Sequence, residues 1–268
     1  MPSTYAHYRF GRDVLKNLPE QLHLSNKRNN QLFMIGLHGP DILFYYHPFH
    51  NNPVSTQGTD LHNRVASSFF ARALSAVNSF ENPAEREAAI AYTCGVICHY
   101  ALDKSCHPYV YELTDSKRFL HSEIESEFDR MLLTEDGFEP VGKILTKHVI
   151  PSAFAARIIA KFYSATDSKI VLHALKSFVF YNNMLSAPDD FKRKFVLFVL
   201  RFSGHYTYLS KMMIGLTPNP KLAESNLTLR KLYDDAIPVA VKLINELENN
   251  LNGSLPLNHE YDHTFGRD

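Results

Sequence analysis

The 268-residue chain has no tryptophan, only three cysteines and no net charge, and each shortage removes a class of reading. Lys plus Arg equals Asp plus Glu at 28 each, so there is no strong nucleic-acid signal and no default attraction to an anionic surface. Cys94, Cys98 and Cys106 are odd in number and form no disulfide framework, which favours a reduced interior. No apolar run is long enough to span a membrane; the longest, Phe195 to Leu200, has charges on both sides. The opening MPSTYAHYRFGRDVLKNLPE lacks a basic region, an apolar core and a small-residue cleavage site, so the cytoplasm is the expected compartment. β-Hairpin signals are scarce, and neither a fixed-period repeat nor a low-complexity linker divides the chain. The expectation is one compact all-α domain over residues 1–268 with a metal-binding cleft.

Histidine is what the chain has in excess, at 14 residues. His99-x3-Asp103-x3-His107 is followed by His121-x3-Glu125. Residues four apart share a helix face, so His99 with Asp103 and His121 with Glu125 each make a two-ligand edge. Imidazole and carboxylate are the usual nitrogen and oxygen ligands of zinc. Either pair alone would be an ordinary solvated pair. Here Ile90, Cys94 and Ile97 precede His99, and Ala101 and Leu102 follow it, so these polar groups are carried near a core, where they need a strong partner. A thiolate site at Cys94 and Cys98 is the alternative; buried free cysteine is the commoner role.

Along the chain, Thr4 is placed as the cap of a first helix with His7 in its first turn. Gly39-Pro40 punctuates an apolar stretch just before Asp41, which then either projects into a site or caps a helix. Residues 47–58 read as a loop, and Thr59 as the cap of a helix over 60–78 with His62 in its first turn. Asn82-Pro83 opens the central helix; Pro108 is expected to end it near His107, swinging that ring toward the second pair. The next helix is expected to start at Thr114, Asp115 or Ser116, with Leu120, Ile124, Phe128 and Met131 as its buried stripe. Four further segments, 141–164, 168–185, 189–214 and 226–251, have helical periodicity. Lys192, Arg193 and Lys194 ahead of Phe195 mark either a lipid-touching surface or, the reading preferred from sequence, a buried helix with a basic first turn.

The ordered series His7, Gly-Pro-Asp41, Asp-Leu-His62, His99-x3-Asp103, His107 and His121-x3-Glu125 resembles the bacterial zinc-dependent phospholipase C family. The resemblance covers roughly the first 135 residues by motif. It implies an all-helical protein with up to three zinc ions in one cleft. By position it implies that Asp41, His62, His99 and Asp103 hold one Zn2+, that His107, His121 and Glu125 hold a second, and that His7 and Asp103 hold a third, more loosely bound. Asp41 is also implied as the catalytic base toward an activated water. In the secreted relatives the third zinc takes the amino group of an N-terminal tryptophan; here Pro2, once Met1 is removed, would stand in its place. His47 and His50 compete with His62, and His38 reads as a supporting or structural residue.

Three functions follow from this reading. The first is phospholipase C-like cleavage of phospholipid or another phosphodiester, with transient contact to a membrane surface. Phe44, Tyr45, Tyr46 and Phe49 would either face a choline-type ammonium or serve as core. The second is a zinc-dependent nuclease, which the fungal single-strand-specific enzymes suggest and the neutral charge disfavours. The third is a non-enzymatic helical module in which metals staple the fold or the domain binds a lipid headgroup.

Overall fold

Asn82 and Pro83 start the helix on which the rest of the chain is assembled. The Asn82 side chain accepts from the Ala84 and Glu85 amides, and proline at the first helical position loses no bond there. In the computed structural model, which describes residues 4–19, 26–202, 204 and 206–266, this helix, α5, runs Pro83–Asp115. Around it pack α1 (Thr4–Asn17), α2 (Lys27–Gly36), α4 (Ala66–Asn78), α6 (His121–Glu135), α7 (Ala153–Ala160) and α11 (Ala223–Leu251). The rest of the framework is a 3-10 helix at Gly39–Tyr45, α3 (Pro53–His62), α8 (Ser168–Leu185), α9 (Asp190–Arg201) and α10 (Tyr206–Lys211). There is no strand among the described residues, as the scarcity of hairpin signals predicts.

The closest packing is between α2 and α5, because Gly36 faces Gly95. A Cβ added to Gly95 would lie 2.2 Å from the Phe33 carbonyl oxygen and 2.8 Å from Gly36 Cα. Backbone contact of this kind draws the end of α2, and with it Asp41, onto the middle of α5. One buried cluster runs from Tyr5 in α1 to Phe265 near the end of the chain. A satellite of Leu185, Ala187, Val196, Leu200 and Met213 lies under α9.

Several expected boundaries move, for identifiable reasons. The central helix does not stop at His107. Pro108 is on the exposed side, where the carbonyl it deprives of a partner can be hydrated, while buried Cys106, His107 and Val110 keep the helix in line. Ser116 therefore caps the end of α5 instead of opening the next helix. That helix begins at His121, and Leu120, outside it, is exposed; the buried stripe is Ile124, Phe128 and Leu132, with Met131 half-buried. Residues 47–58 are not all loop: Asn52, Pro53 and Ser55 form a capping box that starts α3, so Thr59 is inside that helix and His62 is its last residue. Thr4 belongs to α1, whose first amides are satisfied by Asp129. Of the segment 141–164 only α7 is helical, and 189–214 divides into α9 and α10. α8 covers the expected segment, Ser168–Leu185, with Asp167 as its cap. Helix α9 departs furthest from the buried reading: Val196 and Leu200 face inward, while Phe191, Phe195, Phe198 and Phe202 are exposed.

Candidate metal centre

Because α5 continues through Pro108, His99, Asp103 and His107 follow one another at four-residue steps on a single face. All three are buried, His99 completely. Asp103 is the hub. Its Oδ2 lies 3.2 Å from His99 Nε2 and 3.9 Å from His62 Nε2, and its Oδ1 lies 3.2 Å from His7 Nε2 and 3.6 Å from His107 Nε2. Asp41 extends the cluster at one end, with Oδ1 3.0 Å from His62 Nε2 and 3.7 Å from His99 Nε2. At the other end Glu125 Oε1 is 3.0 Å from His121 Nε2 and 3.3 Å from His107 Nε2.

Each of these positions has a local cause. The Asp129 carboxylate of α6 accepts the Tyr5 and Ala6 amides at 3.0 and 2.8 Å, holding the positive end of α1 so that His7 meets Asp103. Asp41 lies in the 3-10 turn directly after Gly39-Pro40 and makes no cap bond, so its helix-cap reading falls. The stop of α3 at His62 brings that ring to Asp41. His47 and His50 are exposed and join no metal-type group among the described residues. His38 pairs instead with His148, Nε2 to Nε2 at 2.6 Å. Pro2 lies outside the described residues.

The orientation of the rings tells which nitrogen is offered. His99 Nδ1 lies 3.3 Å from the Leu37 carbonyl, His62 Nδ1 2.7 Å from that of Gly58, and His107 Nδ1 3.0 Å from that of Phe265. A carbonyl only accepts, so each Nδ1 carries a proton, and each ring, when neutral, turns its Nε2 lone pair inward. Nothing in the sequence marked these partners, because they are main-chain atoms of Leu37, Gly58 and Phe265. His62 Nε2, His99 Nε2, Asp41 Oδ1 and Asp103 Oδ2 are buried and make no hydrogen bond. Four such atoms in one place are costly unless something else binds them. Ligands at about 2.0–2.1 Å from a shared tetrahedral ion would be about 3.3 Å apart, and these donors lie between 3.0 and 3.9 Å from one another in the pairs Asp41–His62, Asp103–His99, Asp41–His99 and Asp103–His62. The residues therefore fit zinc. Three sets have ligand atoms within 4.8 Å of one another: His7, Asp41 and His99; His62, His99 and Asp103; His107, His121 and Glu125.

Electrostatics agree with the geometry. Burial opposes charge on His107, but Asp103 and Glu125 outweigh it and push its pKa up to about 9. His99 is raised too, with burial opposing and Asp103 and Asp41 prevailing. Burial disfavours the charged forms of Asp103 and Glu125 as well, yet the surrounding histidines hold both well below the usual carboxylate range. Protons and metal compete for the same lone pairs here. The cysteines do not take part: burial pushes the Cys94 thiol up to about 12 and Cys98 well above the ordinary value, and no cysteine joins a metal-type group among the described residues.

Beside this cluster is an apolar cavity of about 500 Å3, walled by Phe44, Tyr45 and Phe49 on one side and Met184, Leu185 and Met212 on the other. None of the eight candidate ligands lines it. Phe44 separates the two, its ring centroid 5.5 Å from that of His62. No described helix is long and apolar enough to cross a membrane. No curated protein and no solved structure matches the chain. A family model described as zinc dependent phospholipase C matches residues 6–187, a stretch that contains all eight residues. The chain belongs to the zinc-dependent phospholipase C family.

Proposed function

We propose that the chain hydrolyses phosphodiesters of membrane phospholipids on the glycerol side of phosphate. The observation that carries this reading is the continuous row of eight ligand-type side chains, hinged on Asp103, that lies one phenylalanine away from an apolar cavity. In this assignment Asp41, His62, His99 and Asp103 hold one zinc, His107, His121 and Glu125 a second, and His7 with Asp103 a third. When bound, zinc supplies Lewis acidity that polarises a phosphoryl oxygen and acidifies water. The chain's own residues do the rest. Leu37, Gly58 and Phe265 fix the tautomers through their carbonyls, and the buried Phe265 ring, 5.4 Å from that of His62, excludes bulk water from that side. Asp41, through the carboxylate oxygen not turned to the zinc, would accept the proton of the attacking water. The lipid's apolar part would lie in the cavity, whose Phe44, Tyr45 and Phe49 supply the aromatic wall.

His62 and His121 are the partly exposed ends of the row. The His107, His121 and Glu125 group has three protein ligands and so leaves a position open, which suits substrate entry better than a metal staple closed by four protein ligands. The neutral chain and the apolar cavity also suit a lipid better than a nucleic acid. The three free thiols are compatible with a reducing compartment, and on that ground we place the protein in the cytoplasm. Metal analysis of the purified protein, then a hydrolysis screen over phosphatidylcholine, other phospholipids and single-stranded DNA, tests the assignment. About two tightly held zinc ions are expected, with phosphorylated headgroup released and chelation abolishing turnover. Full hydrolysis by metal-free protein with an unchanged melting temperature would overturn it.

A further inference from the structure

The outer face of α9 is apolar in a way that folding does not explain. Its inner side is already used, with Val196 and Leu200 buried on the satellite core. On the opposite side Phe191, Phe195, Phe198 and Phe202 are 83%, 60%, 55% and 77% exposed. Their spacing of four, three and four residues sets them along one stripe of the helix. Four phenylalanines at these exposures present an apolar patch on the order of 500 Å2, near the upper end of what a soluble monomer shows. Helix α9 has four basic residues, Lys192, Arg193, Lys194 and Arg201, against one acidic residue, Asp190, and its Asp189 cap; Lys194 Nζ lies 3.9 Å from Asp190 Oδ2. Lys192 and Arg193 are turned to carbonyls of Asn183, Ser186 and Ile214, whereas Lys194 and Arg201 are exposed beside the aromatic stripe.

We infer that the outer face of α9 is the surface by which this protein lies on a bilayer containing anionic lipid. Charge favours that occupant over a second copy of the chain. An α9-on-α9 contact would bring two basic-rich helices together, while lipid phosphates complement them. The helix is too short and too charged to span, but suits the interface plane, with rings among the acyl chains and cations at the headgroups. Position adds to this. The satellite core beneath α9 includes Leu185 and is packed by Met184, Leu209 and Met212, and these four side chains also wall the 500 Å3 cavity that reaches Phe44 beside His62. Docking through α9 would thus set the cavity next to the membrane. Such docking rests on the proposed lipid substrate for its purpose, but not for its test.

The absence of tryptophan makes the test direct. In the full-length, zinc-loaded chain, Phe198→Trp installs a single probe, and Leu227→Trp on α11, 70% exposed in the native chain, serves as control. With vesicles of phosphatidylcholine and phosphatidylglycerol, the indole emission of the Phe198→Trp protein is expected to shift blue and to be quenched by brominated acyl chains, while that of the Leu227→Trp protein does neither. Phe195→Ser with Phe198→Ser should weaken vesicle co-sedimentation at least tenfold, with the melting temperature showing that the fold is kept. Lys194→Glu with Arg201→Glu should weaken it by about fivefold or more per charge, and binding should fall with salt. Partitioning unchanged in both double variants overturns the inference, as does a concentration-dependent dimer without vesicles that the phenylalanine variant abolishes. Glu125→Gln separates this from the enzymatic reading: docking stands if that protein binds vesicles without hydrolysing them, and falls alone if native protein hydrolyses dispersed short-chain lipid but does not bind vesicles.

Discussion

Gly39→Ala adds a single carbon against the candidate metal centre. Gly39 has a φ of +36°, in the left-handed region where a Cβ costs about 1–2 kcal/mol. The added carbon would lie 2.7 Å from His99 Cδ2 and 3.0 Å from Cγ, against about 3.5–4.0 Å for carbons at rest. Ring and backbone must therefore part by roughly 1 Å. His99 has no space into which to retreat: it is fully buried, stacked on His7 at 4.5 Å between centroids, and tied through Nδ1 to Leu37. Overpacking at such a place costs about 1–3 kcal/mol, which brings the expected loss of stability to about 2–5 kcal/mol. Moving a ligand off its bearing should also weaken zinc in the Asp41–His62–His99–Asp103 group by about ten- to a hundredfold, leaving the His107–His121–Glu125 group intact.

Gly137→Ala supplies the comparison. Its φ is +75° and an added Cβ meets no atom within 4 Å, so it carries the backbone strain without the collision. Denaturant midpoints and competitive zinc titration of the native protein and both variants separate the two effects. If Gly39→Ala matches Gly137→Ala in both measurements, the close packing of the 3-10 turn on His99 is not what holds that ligand in place.

Glu125→Gln and His121→Ala are each expected to lose one equivalent of zinc and most hydrolysis, whereas Cys94→Ser and Cys98→Ser keep both metals; elemental analysis of the four proteins checks this, and zinc loss in the cysteine variants would point to a missed thiolate site. Acid stability should be governed in part by His38 and His148, since burial holds His148 down to about 3 and, with its neighbours' charges, His38 well below the ordinary value. Their folded pKa values are depressed, so the unfolded chain takes up protons first: the stabilisation is complete above about pH 6.5 and, for His148, is lost as pH falls toward 3, by about 1.4 kcal/mol per unit. Urea unfolding in chelator between pH 7 and 4.5 should show a shallower decline for His148→Asn than for the native chain.

What could be read from the sequence was local. The pairs His99/Asp103 and His121/Glu125 depend only on helical periodicity, and the start of the central helix at Asn82-Pro83 only on neighbouring amides. What could not be read depends on contacts between distant segments. Whether Pro108 ends a helix turns on which side faces water, and the side is set by what packs against Cys106 and Val110. Asp129 gives no sign in sequence that it holds α1, since its partners are the amides of Tyr5 and Ala6, over 120 positions away. The exposed stripe of α9 misled for the opposite reason: an apolar run predicts burial, and here the satellite core is too small to bury both faces.

The histidine tautomers show most clearly how the site exceeds its motif. Here Nε2 is the nitrogen that faces the site, and an acceptor on Nδ1 holds the proton there and leaves Nε2 to a metal. For His99 and His62 the acceptors, Leu37 and Gly58, lie within the stretch matched to the family. For His107 the acceptor is Phe265, 158 residues further on and outside that stretch. The residues that carry Phe265 are anchored in turn: the His263 carbonyl accepts the Ala66 amide, Lys104 pairs with Glu260, and the Tyr261 ring packs tilted against Phe70 with centroids 4.3 Å apart. Each anchor joins this segment to α4 or α5, the two helices that flank the metal-type side chains. A main-chain oxygen can come from any residue type, so the sequence could announce the candidate ligand on α5 and still be silent about the carbonyl that orients it.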